Sequence, residues 1–307
     1  MPAGFSPCIG TWCSLTQSKS SSNLRPGEWA GRLTILRDLK RQQRRWARFR
    51  GIAIDQNGYV ADPADNLFLP LSATFHRALT EAGGGETKLQ RNRPPKLQAL
   101  HSSAVLVINV FQYWEGRAGP ELPRALSLDG SLESVEIERR FPTGLTGMPP
   151  TADVVLGLSG NRVIAIESKF TEWMTKQRPD LERLNKKYLQ PGALWMDAGL
   201  PRCQQLAADI AAGSESFRKL DAPQLLKHAL GLAQNAPGRF SLLYLYFDDA
   251  NDSASAARHR AEIGRFAERI DTGISFRAMT YQALAARLAG EGGVDTEYLE
   301  YLRGRYF

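Results

Sequence analysis

The strongest constraint on this chain is a pair of short apolar runs in its middle. Ala152–Leu158 and Arg162–Phe170 are separated only by Ser159-Gly160-Asn161. Two such runs joined by a short polar, glycine-bearing link predict an antiparallel β-hairpin. Four of the five residues before Glu167 are apolar, so the second strand is predicted to be buried, where a stray charge is costly. That strand nevertheless ends in Glu167-Ser168-Lys169.

Around the hairpin the pattern alternates between helix and strand. A strongly apolar helix capped by Ser102 or Ser103 is predicted to run to about Trp114, and Leu132–Phe141 reads as a strand with charged outward positions. Helices follow around Leu181–Leu189, Pro201–Ala211 and Ala222–Ala233, then a buried strand at Phe240–Phe247 and a helix at Ala254–Ile270. Ile274–Tyr281 reads as a further strand leading into a helix at Gln282–Leu288, and Thr296–Arg303 as a short terminal helix. This order predicts an α/β fold with a mixed sheet.

Upstream, residues 1–24 lack periodicity and read as a loose tail. Helical character begins around Gly27. Arg37, Arg41, Arg44 and Arg48 then share one narrow sector of the helical wheel, and Ile35, Leu36, Leu39, Trp46 and Phe49 lie opposite as an apolar face. No acid is expected to compensate the stripe. Leu69–Ala82 reads as another helix closed by Gly83–Gly85, and Pro94-Pro95 as a linker. The domain reading is 1–24 tail, 25–98 basic helical region, 99–290 core and 291–307 C-terminal helix.

Charge follows the same division. Residues 1–50 hold ten Lys/Arg against two acids, whereas residues 51–307 hold 29 against 30. The net charge of +7 therefore sits in the first sixth of the chain, as a basic arm beside a neutral body suited to a polyanion. Four arginines on one sector repel one another unless an anion neutralises them, and phosphates would do so without reading sequence. A merely solvated helix face is the competing explanation.

Several classes are excluded. The longest apolar runs, Ala104–Phe111 and Ser241–Phe247, fall far short of the roughly 20 residues of a membrane span. No secretory signal is visible. Cys8, Cys13 and Cys203 are too sparse for a disulfide scaffold and suit a cytoplasmic protein. His76, His101, His228 and His259 show no metal spacing, and neither a phosphate-binding Gly-Lys-Ser/Thr loop nor a nucleophile elbow occurs.

The chemistry concentrates at the hairpin. Alternation along a strand points Glu167 and Lys169 the same way, and Asp153, opening the partner strand, can stand opposite them. Two carboxylates and an ammonium at one sheet edge suit a hard cation such as Mg²⁺ and phosphodiester hydrolysis. An acid-x-Lys tripeptide alone carries little information. Asp38-Leu39-Lys40 lies in the arginine helix and Glu86-Thr87-Lys88 in a glycine-flanked loop, so only Glu167-Ser168-Lys169 ends a buried strand.

Asp153 followed by Glu167-Ser168-Lys169 resembles the PD-(D/E)XK nuclease superfamily, with its restriction-endonuclease-like fold. The Ser102-Ser103-Ala104 helix reaching Asn109-Val110-Phe111 and the Asp221–Gly231 segment resemble a bacterial branch of it whose target specificity is open. The resemblance covers about residues 99–290 and leaves the arginine helix outside. One departure is Ala152, which stands where the superfamily places proline, with Pro149-Pro150 displaced upstream.

The resemblance implies a restriction-endonuclease-like core with a mixed central sheet flanked by helices. It also implies a Mg²⁺-dependent deoxyribonuclease, Mn²⁺ substituting, with endonuclease action favoured over exonuclease. Asp153, Glu167 and the Ser168 carbonyl would hold the metal, and Lys169 would serve the attacking water. Many enzymes of the superfamily work as homodimers that cut both strands. Two further groups are candidates. Glu138, near the end of the strand preceding Asp153, could add an acid, although a solvated strand face explains it equally. Gln224, Lys227 and His228 share one helix face that could lend a Gln or Lys to the site, although a plain amphipathic helix explains them too. A catalytically silent nucleic-acid-binding protein of the same fold is the alternative function.

Overall fold

The computed structural model describes residues 26–89, 93–174, 184–189, 194–249 and 253–307, with side chains from residue 36 onward. Its centre is a five-stranded sheet of β1 (Leu132–Arg140), β2 (Thr151–Leu158), β3 (Arg162–Lys169), β4 (Phe240–Tyr246) and β5 (Ser275–Thr280), ordered β1-β2-β3-β4-β5. The first three strands are antiparallel neighbours, and β4 and β5 continue in parallel from β3. The sheet is therefore mixed, and each predicted strand lies within a residue or two of its expected bounds. At the hairpin turn Asn161 adopts a φ of 58° and Gly160 of 79°, the left-handed backbone that these two residue types tolerate best.

Both faces of the sheet are covered because alternate side chains of the central strands are apolar on each side. Val154, Leu156, Ile164, Ile166, Leu243 and Leu245 share one core with α3 (Ser103–Phe111), α9 (Tyr281–Gly290) and α10 (Thr296–Tyr306). Val155, Ala165, Leu242 and Tyr244 share the other with α6 (Pro201–Ala212), α7 (Ala222–Asn235) and α8 (Ala254–Arg269). Ser102 caps α3 by accepting from the Val105 amide, Asp221 caps α7 through the Gln224 amide, and Ser253 caps α8. Two short helices had no clear sequence signal: α4 (Glu121–Ala125), which contains Pro123, and α5 (Leu194–Asp197).

The helix expected over Leu181–Leu189 is corrected in its described part. Only a single 3₁₀ turn, Lys186–Tyr188, forms after an Asn185 cap, and residues 181–183 lie outside the described residues, as do the tail 1–24 and Cys8 and Cys13. Asn185 accepts from the Lys187 amide, a local turn that competes with a longer helix.

The basic helix α1 (Pro26–Phe49) packs on α8 and α10, and its Leu39, Trp46 and Ala47 join the same core as α3. Trp46 is buried, as its position on the wheel predicts. Phe49 is not: it is 90% exposed, which corrects its assignment to the apolar face. The helix stops at Phe49, and Gly51, at a φ of 70°, turns the chain away before the ring meets a neighbour. Arg305 of α10 is buried and fastens this region. It donates to the Asn66 carbonyl at 2.8 Å and to Tyr301 Oη at 2.7 Å, and lies 4.6 Å from the Trp46 ring.

Candidate active site

Glu138 and Asp153 face each other across β1 and β2, between the paired positions Ile137↔Val154 and Arg139↔Ala152. Glu138 has a φ of 54°, rare for a residue with a side chain and rarer still inside a strand. On the other side, β3 pairs with β2 up to Val154↔Ile166, so Glu167 follows at the step where Asp153 precedes. Asp153 Oδ2 accepts from the Ser168 amide at 2.7 Å, fixing the carboxylate against the end of β3.

Glu167 is fully buried. Its Oε1 accepts from Lys169 Nζ, and its Oε2 lies 3.3 Å from His228 Nδ1 without forming a hydrogen bond. Lys169 also donates to Gln224 Oε1 at 3.1 Å. The helix face that carries Gln224 and His228 is thus aimed at the Glu167–Lys169 pair. Lys227 on the same face is half-buried, and its charge is felt at His228. The Ser168 hydroxyl points to the opposite side of the sheet and meets Tyr281 Oη at 2.6 Å.

Beside these groups lies a cavity of about 130 Å³, lined by Glu86, Glu138, Asp153, Ser168, Lys169 and Glu172 among others. Burial raises the carboxyl of Asp153 to about 8, and the neighbouring Glu167 charge adds to the rise. Burial also raises Glu167 to about 7 against the pull of Lys169, and Glu138 to about 7 with help from Asp153 and Glu86. Lys169 is raised too: burial works against its charge, but Glu167 and Asp153 outweigh it. His228 is pushed down to about 3 by burial and by Lys169 and Lys227, so its ring is neutral near pH 7.

Residues 35–307 match the model of a family described as restriction endonuclease associating with ARP. The chain belongs to this restriction-endonuclease family. Searches of curated proteins and of solved structures returned no match. The mixed sheet flanked by helices is the restriction-endonuclease-like fold, and family membership supports a nuclease-like function on DNA. The matched span extends past the 99–290 region on both sides and takes in Arg37, Arg41, Arg44 and Arg48.

In this family member the carboxylates at this end of the sheet are oxygen donors of the kind a hard divalent cation takes. Glu167 Oε2 and Glu86 Oε2 are buried and lack hydrogen-bond partners. Among the described residues no cluster of three or more His, Cys, Asp or Glu side chains stands arranged for a metal ion. The set that the sequence motif implies is smaller, two carboxylates and a main-chain carbonyl.

Glu86 and Glu172 were not singled out from the sequence. Glu86 follows Gly83–Gly85, and that turn carries it from the end of α2 (Ala73–Glu81) to the cavity, where Lys96 Nζ binds its Oε1 at 2.7 Å. Its Glu-x-Lys context was visible, but the long-range approach to β1 and β2 was not. Glu172 follows the Glu167-Ser168-Lys169 motif closely, and its Oε2 accepts from the Phe170 amide at 2.7 Å.

The arginine stripe lies elsewhere, on the outer face of α1. Arg37, Arg41 and Arg48 are exposed and Arg44 half-buried. With Lys40 and Arg45 they line an open groove of about 650 Å³. The expectation of no compensating acid is corrected: Asp38 lies 3.6 Å from Arg41 and 3.9 Å from Arg37. Asp38 and Arg41 are neighbours on the helix surface at the spacing of i and i+3. Exposed pairs of this kind contribute little, and the groove keeps a cationic excess. No helix among the described residues is long and apolar enough to cross a membrane.

Proposed function

We propose that the protein is a metal-dependent endonuclease that hydrolyses DNA phosphodiester bonds at the end of the β2–β3 hairpin. The observation that carries this reading is Lys169, which lines the cavity beside Asp153 while its ammonium is anchored on buried Glu167 and on Gln224. Asp153, Glu167 and the Ser168 carbonyl would hold Mg²⁺, with Mn²⁺ as a substitute. When bound, such an ion polarises a phosphoryl oxygen and makes water a stronger nucleophile.

The remaining roles follow from the side chains. Lys169 is held charged by two carboxylates, so it suits orienting the attacking water and offsetting charge on the phosphate better than removing a proton. Gln224 restricts the ammonium to one direction, which limits the entropy lost at reaction. Glu138, protonated over part of the neutral range, can accept or release a proton at the opposite wall of the cavity. Lys227 acts at one remove, through His228. Arg37, Arg41, Arg44 and Arg48 would hold the backbone of the substrate.

The test is cleavage of supercoiled plasmid and of labelled single-stranded DNA with Mg²⁺ or Mn²⁺. Wild type runs beside Glu167→Ala and Lys169→Ala, with folding checked by circular dichroism. Metal-dependent cutting lost in both folded variants supports the reading, and nicked or linear plasmid supports endonuclease action. Folded wild-type protein that leaves every substrate intact would overturn it.

A further inference from the structure

The groove on α1 has features that a simple backbone clamp does not need. Six cationic side chains line it within the stretch from Arg37 to Arg48, about 17 Å of helix at 1.5 Å per residue. At its end stands Phe49. Among the described residues it is the one aromatic side chain in the set of exposed large apolar groups, and it is far more exposed than Leu69, Leu89, Met148 or Met196. It follows Arg45 by four residues, so the two side chains share one flank of the helix. A ring this exposed, beside a row of cations that suits phosphates, has the chemistry of a base-stacking platform.

The inner edge of the cationic row is anchored on the body of the protein. Lys40 and Arg44 lie close enough to His101 to lower its basicity, after the larger effect of its burial. His101 packs edge-on against Tyr59 at 6.4 Å. Arg44 Nη2 donates to the Gln56 carbonyl at 2.5 Å, which ties this part of the groove to the loop after α1.

We propose that α1 is a binding track for the unpaired strand of a polynucleotide, with Arg37, Lys40, Arg41, Arg44 and Arg48 on successive phosphates and Phe49 stacked on one exposed base. This deepens the nuclease reading and rests on it for the identity of the polymer. Charge complementarity selects a polyanion, and the exposed ring selects an unpaired base. A paired base offers no free face to stack on, whereas every unpaired base does, whatever the sequence. The substrate assigned is thus a nucleic acid with a single-stranded segment, such as a tail, a gap or a displaced strand.

The experiment measures fluorescence anisotropy of labelled 20-nucleotide single-stranded DNA, its RNA counterpart and the matched duplex DNA, in EDTA so that no cutting occurs. The full-length chain is used as wild type, Phe49→Ala, and Arg41→Gln/Arg48→Gln. Because all three substituted side chains are exposed, the variants should fold, and circular dichroism checks this. The expected result is tighter binding of the single strand, a loss of about five- to 100-fold for Phe49→Ala on single strand only, and a shallower salt dependence for the double arginine variant. DNA and RNA arms that both respond to Phe49→Ala would still support the track, and would leave the cavity to choose the sugar. Tighter binding of duplex, or a single-strand affinity indifferent to Phe49→Ala, would overturn the inference. Metal-dependent cutting with indifferent Phe49 sinks this inference alone, whereas Phe49-dependent binding without any cutting sinks the nuclease reading alone.

Discussion

Replacing Lys169 by Met removes the ammonium but keeps most of its apolar stem, so the electrostatic consequence can be isolated. In the wild type, Glu167 is raised from an ordinary 4.5 to about 7. A raised carboxyl stabilises the fold relative to higher pH: its contribution is fully present below 4.5 and is lost as pH climbs to about 7, after which nothing more is lost. Without Lys169 the Glu167 value rises further, so the loss continues above pH 7. Each extra pH unit costs about 1.4 kcal/mol. At pH 9 the variant therefore falls behind the wild type, relative to pH 5.5, by about that amount for each unit by which the Glu167 value rises. For a chain of this size each such unit is about 2 °C in melting temperature. Asp153, which also feels Lys169, shifts in the same direction and adds to the deficit. The assay is thermal unfolding of metal-free protein at pH 5.5 and pH 9, for Lys169→Met and for Lys169→Met/Glu167→Gln. The double variant should recover much of the pH 9 deficit because Gln carries no charge. An equal deficit at both pH values would show that Lys169 contributes packing alone and would refute this account of the pair.

Other outcomes follow from the same structure. Glu138→Gln removes a like charge facing Asp153, so metal-free protein should gain about 1 kcal/mol at pH 8.5 while cleavage falls, as read by melting curves beside plasmid assays. His259 is fully buried, bonded to Tyr244 at 2.9 Å and stacked on Trp173, and burial pushes it down to about 3. A lowered histidine withdraws stability as pH falls from 6.5 towards 3. His259→Gln should therefore reduce the acid sensitivity of unfolding by about 1.4 kcal/mol per pH unit in that window, measured by urea titrations at several pH values. Arg305→Met should cost about 3 kcal/mol, because it removes the donor to the buried Asn66 Oδ1 and two further buried hydrogen bonds, to the Asn66 carbonyl and to Tyr301 Oη. A loss under 1 kcal/mol in chemical denaturation would contradict that role. Gly231→Ala would place a methyl 2.8 Å from the Phe141 main chain, so it should destabilise by about 1–3 kcal/mol.

The sheet was legible because its strands are short, alternating or wholly apolar, and separated by turn residues. The hairpin turn at Ser159-Gly160-Asn161 fixed the relative placement of Asp153 and the Glu167-Ser168-Lys169 motif, and local rules suffice for that. Gln224 and His228 were legible as one helix face, but their orientation towards Glu167 depends on how α7 seats on the sheet. Glu86 lies beyond local rules altogether: it is 67 residues from Asp153 in sequence, and only the packing of α2 against β1 brings it to the cavity. Phe49 misled because a helical wheel assumes that the helix continues and that its whole apolar sector meets a neighbour. The helix ends there, and the sector ends at Trp46. Asp38 was overlooked for a related reason, since the wheel ranked the arginines by sector and ignored the acid one step away.

The central claim is that the carboxylates at the hairpin end form a divalent-cation site for hydrolysis. The most direct measurement is Mn²⁺ binding to the folded protein at pH 8, followed by electron paramagnetic resonance of free Mn²⁺, for wild type and for Asp153→Asn/Glu167→Gln. The account predicts saturable binding by the wild type that competes with Mg²⁺ and disappears in the folded double variant. Wild-type protein that binds no Mn²⁺, or a double variant that binds it as tightly, would contradict it.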